Sequence, residues 1–337
     1  MQAISRPLLI KLLKQSKRVV LISHSNPDGD ALGSSLGLYH WIKEQSFSLK
    51  SCKVMVPNSF PGFLNKLPGC RQLFIAQDQP EKAKQSIQKA DLIVLLDFNS
   101  LKRIDALGPW VAQSKAVKIL IDHHQQPENC ADYAFHNVQS CSTSELVFEL
   151  TMPKSKTQVG LTRSMAACIY TGIMTDTGNF RFSSVRAKTH AIVARLLETG
   201  LEQHKIHEMV YDNYSFERMQ LLGFGLHNKL KCLPGIPVAY FSFSHAELKS
   251  YHYSKGDLEG VVNYGLSIAG IKVCALFNEQ EDRSVRISFR SKARIDVNRF
   301  ARKYFQGGGH INAAGGKSML SLNKSVERFI QHIHEIL

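Results

Sequence analysis

Val19-Val20-Leu21-Ile22-Ser23-His24-Ser25-Asn26-Pro27-Asp28-Gly29-Asp30-Ala31 is the stretch on which the fold turns. Its four leading apolar residues suit a strand buried on both faces. The run then breaks into a polar turn with one histidine and two aspartates, and a helical pattern follows from Ala31 to Glu44. Two later runs repeat the arrangement. Leu92-Ile93-Val94-Leu95-Leu96 ends in Asp97-Phe98-Asn99, and Val117-Lys118-Ile119-Leu120-Ile121 ends in Asp122-His123-His124. A second helical pattern, Gln79 to Ala90, lies between the first and second runs. This alternation predicts an α/β domain with a mostly parallel sheet and helices on both faces. Ligands of such sheets sit beyond the carboxyl ends of the strands, so the residues after each run are the candidates for function.

Working outward, Leu161 to Met174 reads as a buried helix ending in Thr175-Asp176-Thr177-Gly178-Asn179-Phe180. The pattern from Ala187 to Leu230 is helical, and Pro234-Gly235-Ile236-Pro237 punctuates the chain before new strands at Val238–Phe241, Ile271–Phe277 and Ser284–Ser291. We expect a catalytic domain over 1–185, a helical linker over 186–230 and a smaller α/β domain over 231–337. The chain closes on an amphipathic helix with Val326, Phe329, Ile330 and Ile333 on one face.

The 337 residues are 44% apolar, enough for a sizeable core in two domains. No apolar run approaches the length of a membrane span, and the N-terminal segment lacks the pattern of a signal peptide. Seven cysteines form no CxxC pair, which fits free thiols and a cytoplasmic setting rather than a disulfide framework or zinc site. A formal net charge of +14 favours polyanionic partners: nucleic acid, nucleotides or other phosphates.

Each acidic turn has an ordinary explanation, since Asp or Asn after a strand commonly caps a helix. Four separate segments delivering His24, Asp28, Asp30, Asp97, Asp122, His123, His124 and Asp176 to one sheet edge do not. Such a set would repel itself and titrate badly without a cation. Imidazole and carboxylate without thiolate suit Mn²⁺, Mg²⁺, Fe²⁺ or Co²⁺. Two cations sharing one carboxylate drive in-line displacement at phosphorus.

The segments HSNPDGDALGS (24–34), LLDFN (95–99), DHH (122–124) and TDTGNF (175–180) resemble the four motifs of DHH phosphoesterases, and CSTSELV (141–147) resembles a further segment that helps bind phosphate in that family. The resemblance implies one metal held by His24, Asp28 and Asp97, and a second held by Asp30, Asp97, His123 and Asp176, with Asp97 the bridge. It implies that His124 faces the substrate phosphate and that Asp122 orients its neighbours. Manganese is the first expectation for both ions.

Asp296 opens a helix that runs into Gly307-Gly308-Gly309-His310, and Ser284–Ser291 alternates, with Arg286, Ser288 and Arg290 on one face. Three glycines exceed what a helix cap needs and read as a loop whose backbone N–H groups cradle a phosphate. FRS (289–291) and GGGHINAAGG (307–316) resemble the DHH-associated C-terminal domain, which implies substrate contacts from Arg290, Gly308, Gly309 and His310. The other histidines, His136 among them, carry no ligand spacing and read as solvated or structural. Within the family the chain is most similar to the nano-RNase and phosphoadenosine phosphatase group. That implies a hydrolase of short RNA oligonucleotides or nucleotide phosphates, without membrane association and compatible with a homodimer. The alternatives are a polyphosphate or pyrophosphate hydrolase and a non-catalytic nucleotide-binding protein.

Overall fold

The computed structural model describes residues 1–153, 160–254 and 256–337. The chain divides into two compact units, Met1–Asn213 and Tyr214–Leu337.

The first unit runs β1 (Gln2–Ala3), α1 (Arg6–Gln15), β2 (Arg18–Ser23), α2 (Gly29–Glu44), β3 (Ser51–Val56), β4 (Phe74–Ile75), α3 (Pro80–Gln88), β5 (Leu92–Leu96), α4 (Leu107–Gln113), β6 (Val117–Asp122), β7 (Tyr133–His136), α5 (Thr143–Thr151), α6 (Arg163–Asp176), α7 (Ala187–Leu197) and α8 (Gln203–Tyr211). Its strands form one seven-stranded sheet in the order β1-β7-β6-β5-β2-β3-β4, and every pairing is parallel. The expected α/β architecture is therefore present. The three apolar runs are its central strands. Val19 and Leu21 join one core and Val20 and Ile22 the other, so each face of β2 is buried. After β2 the chain moves outward to β3 and β4, then returns to place β5 on the opposite side of β2. That reversal puts the ends of β2 and β5 at the point where open parallel sheets bind ligands.

Helices α2 and α6 pack closely because glycine opens their contact. A Cβ on Gly33 would stand 2.5 Å from the Cys168 carbonyl oxygen, and one on Gly37 would stand 2.5 Å from Ile169 Cδ1. This approach brings the C-terminal end of α6, with Asp176, to the N-terminal end of α2, with Asp28 and Asp30.

The second unit contains α9 (Phe216–Phe224), β8 (Lys231–Cys232), β9 (Val238–Phe243), α10 (His245–Ser250), α11 (Val261–Leu266), β10 (Val273–Glu279), β11 (Val285–Ser291), α12 (Val297–Tyr304), β12 (Gly308–His310), β13 (Ala313–Ser318) and α13 (Leu322–His332). Its six strands order as β12-β13-β11-β10-β9-β8, with β9 and β10 parallel and the rest antiparallel. Phe289, Phe300, Phe305 and Phe329 pack between the sheet and helices α12 and α13. The face predicted for α13 is the buried one, with Phe329 and Ile333 enclosed and Val326 and Ile330 partly so.

Two local expectations change. The stretch 186–230, read as a linker, is shared between the units. Ile192, Leu196, Ile206, Met209 and Val210 of α7 and α8 complete the first core, whereas Leu221 of α9 is buried in the second unit with Phe241 and Phe243. The triple glycine is not a loop either. Gly308–His310 forms the edge strand β12, paired antiparallel with β13.

Candidate metal centre and phosphate-binding residues

Asp28 does what an ordinary post-strand aspartate does: it caps α2, its Oδ1 accepting from the N–H groups of Asp30 and Ala31 at 3.0 Å each. It also does more. Oδ1 of Asp28 lies 3.9 Å from His24 Nε2, which is 3.5 Å from Asp97 Oδ2. The His24 ring is set by its own backbone, with Nδ1 bonded to the Ser25 carbonyl at 2.9 Å, so Nε2 presents its lone pair to the two carboxylates.

His123 is arranged the same way. Its Nδ1 bonds the Ser140 carbonyl at 3.2 Å, and Nε2 faces Asp176 at 3.4 Å, Asp97 at 3.7 Å and Asp30 at 3.9 Å. The structure thus gathers both sets expected from sequence. Asp97 lies within reach of each, with Oδ2 toward His24 and Oδ1 toward His123. Its backbone φ of +66° is a left-handed conformation rare for a residue with a side chain, the kind of local strain found at functional sites.

These separations are too long for hydrogen bonds. They suit donors around a shared ion, since adjacent ligands at about 2.1 Å from an octahedral cation stand about 3 Å apart and opposite ones about 4.2 Å. The electrostatics agree. Burial, then repulsion from Asp30 and Asp28, pushes the Asp97 carboxyl well above the usual range. Burial likewise raises Asp30 despite the opposing pull of His123. For His123, burial is outweighed by Asp176, Asp97 and Asp30, which lift it to about 9. The protein alone therefore sheds the cluster's charge by protonation. A buried oxygen and nitrogen donor set in that condition fits divalent cations.

His124 borders both sets through Asp97, whose Oδ1 lies 3.8 Å from its Nδ1. Its Nδ1 is 2.7 Å from Oδ1 of fully buried Asp122. Burial drives His124 down to about 4. Burial alone would raise Asp122, but the bond to His124 holds it below the usual range. The pair is a neutral imidazole hydrogen-bonded to a carboxylate.

Other supports were not legible. Glu145 is 1% exposed, and its carboxylate accepts from Ser140 Oγ at 2.5 Å, Cys141 N–H at 3.0 Å and Thr189 Oγ1 at 2.8 Å. It thereby fixes the Ser140 carbonyl that orients His123. Thr143 and Ser144 spend their N–H groups on the two oxygens of Asp30, at 2.7 and 2.9 Å, and Thr143 Oγ1 donates to Asp97 at 2.9 Å. The 141–147 segment, expected to help bind phosphate, thus uses the start of α5 to hold metal-ligand candidates. His136 braces the motif from β7, its Nε2 bonding the His124 carbonyl at 2.7 Å. Arg103 is half-buried on a turn tied to the His24 loop, its carbonyl accepting from Ser25 N–H at 2.7 Å. Its charge is felt at His24 and His124. Glu145 reads in sequence as a first-turn helix acid, and Arg103 as a turn residue, so neither carried a signal.

In the second unit, Arg290 and His310 are half-buried. Arg290 pairs with Ala313, which pairs with His310, so all three share a row across the sheet. The glycines divide. A Cβ on Gly307 would come 2.0 Å from the Gly315 carbonyl oxygen, and one on Gly309 2.5 Å from that of Ala313. The close approach that glycine permits at these two positions is therefore to the neighbouring strand.

Comparison with known proteins agrees with this geometry. Residues 18–173 match the DHH family N-terminal domain and residues 235–337 the DHHA1 domain. The chain is 26% identical to the bifunctional oligoribonuclease and PAP phosphatase NrnA of Bacillus subtilis, over 91% of each chain. It is 30% identical to the uncharacterized MG371 homolog of Mycoplasma pneumoniae, covering 91% of this chain and 88% of that one. A crystal structure of an exopolyphosphatase-related protein from Bacteroides fragilis is similar at 37% identity and a TM-score of 0.90, covering 98% and 95% of the two chains. With both domains matched and the ligand-bearing turns gathered at the switch point of the parallel sheet, this chain belongs to the DHH family of metal-dependent phosphoesterases.

Proposed function

We propose that the chain hydrolyses phosphodiester bonds of very short RNA to 5′-mononucleotides and removes the 3′-phosphate of 3′-phosphoadenosine 5′-phosphate. The observation that carries the chemistry is the pair of His/Asp clusters sharing Asp97. The nucleotide substrate is supported by likeness to the Bacillus subtilis enzyme and its Streptococcus mutans counterpart, 24% identical over 96% of this chain.

His24, Asp28 and Asp97 would hold one cation, and Asp30, Asp97, His123 and Asp176 the other, with manganese preferred for both. Bound there, two divalent cations neutralise the phosphate and lower the pKa of an attacking water. The protein's own part is positioning. Carbonyls at Ser25 and Ser140 fix which nitrogen each histidine presents, and α5 fixes Asp30. His124, a neutral imidazole held by Asp122, is the proposed polar contact to the substrate phosphate. Arg290, Gly308, Gly309 and His310 are the proposed substrate contacts of the second unit.

A polyphosphate hydrolase is the second reading, favoured by the likeness to the exopolyphosphatase-related structure. A panel with Mn²⁺ separates the two: dinucleotides, RNA up to roughly a 24-mer, phosphoadenosine phosphate, pyrophosphate and polyphosphate. Catalytic efficiency should peak at about two to four nucleotides near physiological salt, because further nucleotides add ordering cost without an aromatic track to stack on. A rise with RNA length would overturn the short-substrate reading, and a preference for polyphosphate would replace the nucleotide reading. Turnover surviving exhaustive chelation would refute the two-metal chemistry.

A further inference from the structure

Arg103 lies on a short 3-10 turn, Leu101–Ile104, that follows β5 and the Asp97 segment. The turn is fixed from several sides. Ile104 is fully buried beneath it, Ser100 Oγ accepts from the Lys102 N–H at 3.2 Å, and the Ser100 carbonyl accepts from the Arg103 N–H at 3.0 Å. The same segment is bonded to two of the loops that carry the centre. Toward His24, the Arg103 carbonyl accepts from the Ser25 N–H at 2.7 Å, and Asp105 Oδ2 accepts from Ser25 Oγ at 2.5 Å. Asp105 is left-handed there, with φ +45°. Toward His124, Asn99 Nδ2 donates to the Gln125 carbonyl at 2.6 Å, and the Asn99 carbonyl accepts from the Glu128 N–H at 2.7 Å.

The side chain carried by this turn is half-buried. Among the described residues, its guanidinium donates to no oxygen and has no carboxylate within ion-pair distance. Asp105, the acid nearest in sequence, is occupied by Ser25. Yet the Arg103 charge reaches three groups of the centre. Burial lowers both His24 and His124, and Arg103 adds to the effect at each. Against burial, His24, two backbone N–H groups and Arg103 together hold Asp28 below the usual range. Such effects fade with separation, so the guanidinium stands close to all three. A half-buried guanidinium with five donors and no acceptor does little for the fold. It also repels the very cations that His24 and Asp28 are suited to hold. An anion that joins those cations explains its position.

We propose that Arg103 is a catalytic residue, its guanidinium donating to the non-bridging oxygens of the phosphate under attack, on the His24 and Asp28 side of the centre. The water oxygen bonds to phosphorus, the bond to the departing oxygen breaks, and the proton lost by the water ends on that oxygen. Negative charge stays on the non-bridging oxygens throughout, and a planar fork can bond two of them at once. This assignment rests on the phosphoester chemistry proposed above.

The test uses the full chain and three variants: Arg103→Gln, Arg103→Lys and, as a control on the same turn, exposed Lys102→Gln. Calorimetry measures Mn²⁺ binding and then, on the Mn²⁺-loaded protein, binding of phenylphosphonate, a small anion that cannot be hydrolysed. In Arg103→Gln, Mn²⁺ affinity should hold or tighten, because a neighbouring positive charge is gone. Phenylphosphonate should weaken by about tenfold, and kcat/KM should fall by about ten- to a hundredfold. The fall should be the same for a dinucleotide and for bis(4-nitrophenyl) phosphate, since both place a phosphate at the point of attack. Arg103→Lys should recover part of the loss, and Lys102→Gln should match the wild type. Weaker Mn²⁺ binding in Arg103→Gln would make the residue structural and overturn the proposal. So would a loss confined to the dinucleotide, or efficiency near that of the wild type. A wild type that hydrolyses no phosphodiester refutes the function proposed above, whereas unchanged phenylphosphonate binding in Arg103→Gln refutes the role of Arg103 by itself.

Discussion

Replacing Asp97 by asparagine separates what this carboxylate does for the fold from what it does for cations. The amide keeps an oxygen for the Thr143 hydroxyl, which donates to Asp97 at 2.9 Å, and it fills nearly the same volume. It removes a negative charge that burial and the neighbouring Asp30 and Asp28 carboxylates already disfavour. Without metal, the variant should therefore unfold at the same temperature as the wild type or higher. With metal the order reverses. An ion at 100 times its dissociation constant stabilises the folded state by about 2.7 kcal/mol. For a unit the size of Met1–Asn213 this is a rise of roughly 5–10 °C. Both proposed cations draw on Asp97, so the variant should lose most of that rise and all measurable turnover. Melting curves over a Mn²⁺ titration, paired with dinucleotide hydrolysis, read both effects. A variant less stable than wild type in chelator, or one that keeps the full Mn²⁺ shift, would refute the reasoning.

Glu145→Gln should fold, because the amide can still satisfy Ser140 and Cys141, yet weaken Mn²⁺ by about tenfold through the carbonyl that orients His123; calorimetry checks this, and unchanged affinity counts against it. For the metal-free protein, the raised His123 contributes stability that is complete below its unfolded value and lost as pH climbs through about 9. The raised Asp97 and Asp30 act in the same direction, as groups that resist the ionisation high pH imposes. Metal-free Tm should therefore fall from pH 6 to pH 9, and saturating Mn²⁺ should flatten the slope; a slope unaffected by metal would exclude this cluster as its source. Gly33→Ala should lower the denaturant midpoint by the equivalent of about 1–3 kcal/mol, although helix propensity alone predicts a gain, because its Cβ meets the Cys168 carbonyl at 2.5 Å.

What the sequence made legible follows from where each signal originates. Strands β2, β5 and β6 are enclosed on both faces, so they are unbroken apolar runs that cannot be mistaken for amphipathic surface. Edge strands β1 and β4 are two residues long and β7 is half-exposed, which leaves too few residues for a pattern. The start of the second unit at Tyr214 passes without punctuation, while Pro234-Gly235 twenty residues on reads loudly but is only a turn inside that unit. Strand β12 was hidden for a different reason. A glycine run has no strand preference of its own, and this one is extended because β13 pairs with it. Aspartates and histidines at strand ends were visible because their types and positions are unusual. Glu145 and Arg103 were not, because buried acids and half-buried arginines are identified by their surroundings.

The centre is assembled at a cost that the apoprotein bears and a ligand repays. Three of its contributing turns follow adjacent parallel strands and would converge in any sheet of this order. The fourth, at Asp176, arrives because α6 packs against α2 at Gly33, where a methyl group would collide with the backbone of α6. Asp97 is then held with a left-handed backbone, and the cluster lowers its own charge through an elevated Asp97 and an elevated His123. None of these features improves an empty protein. Each would lower the reorganisation needed for the proposed cations to enter, since the donors are already placed and the histidine nitrogens already oriented by Ser25 and Ser140. Strain of this kind marks function because selection for the fold alone would remove it.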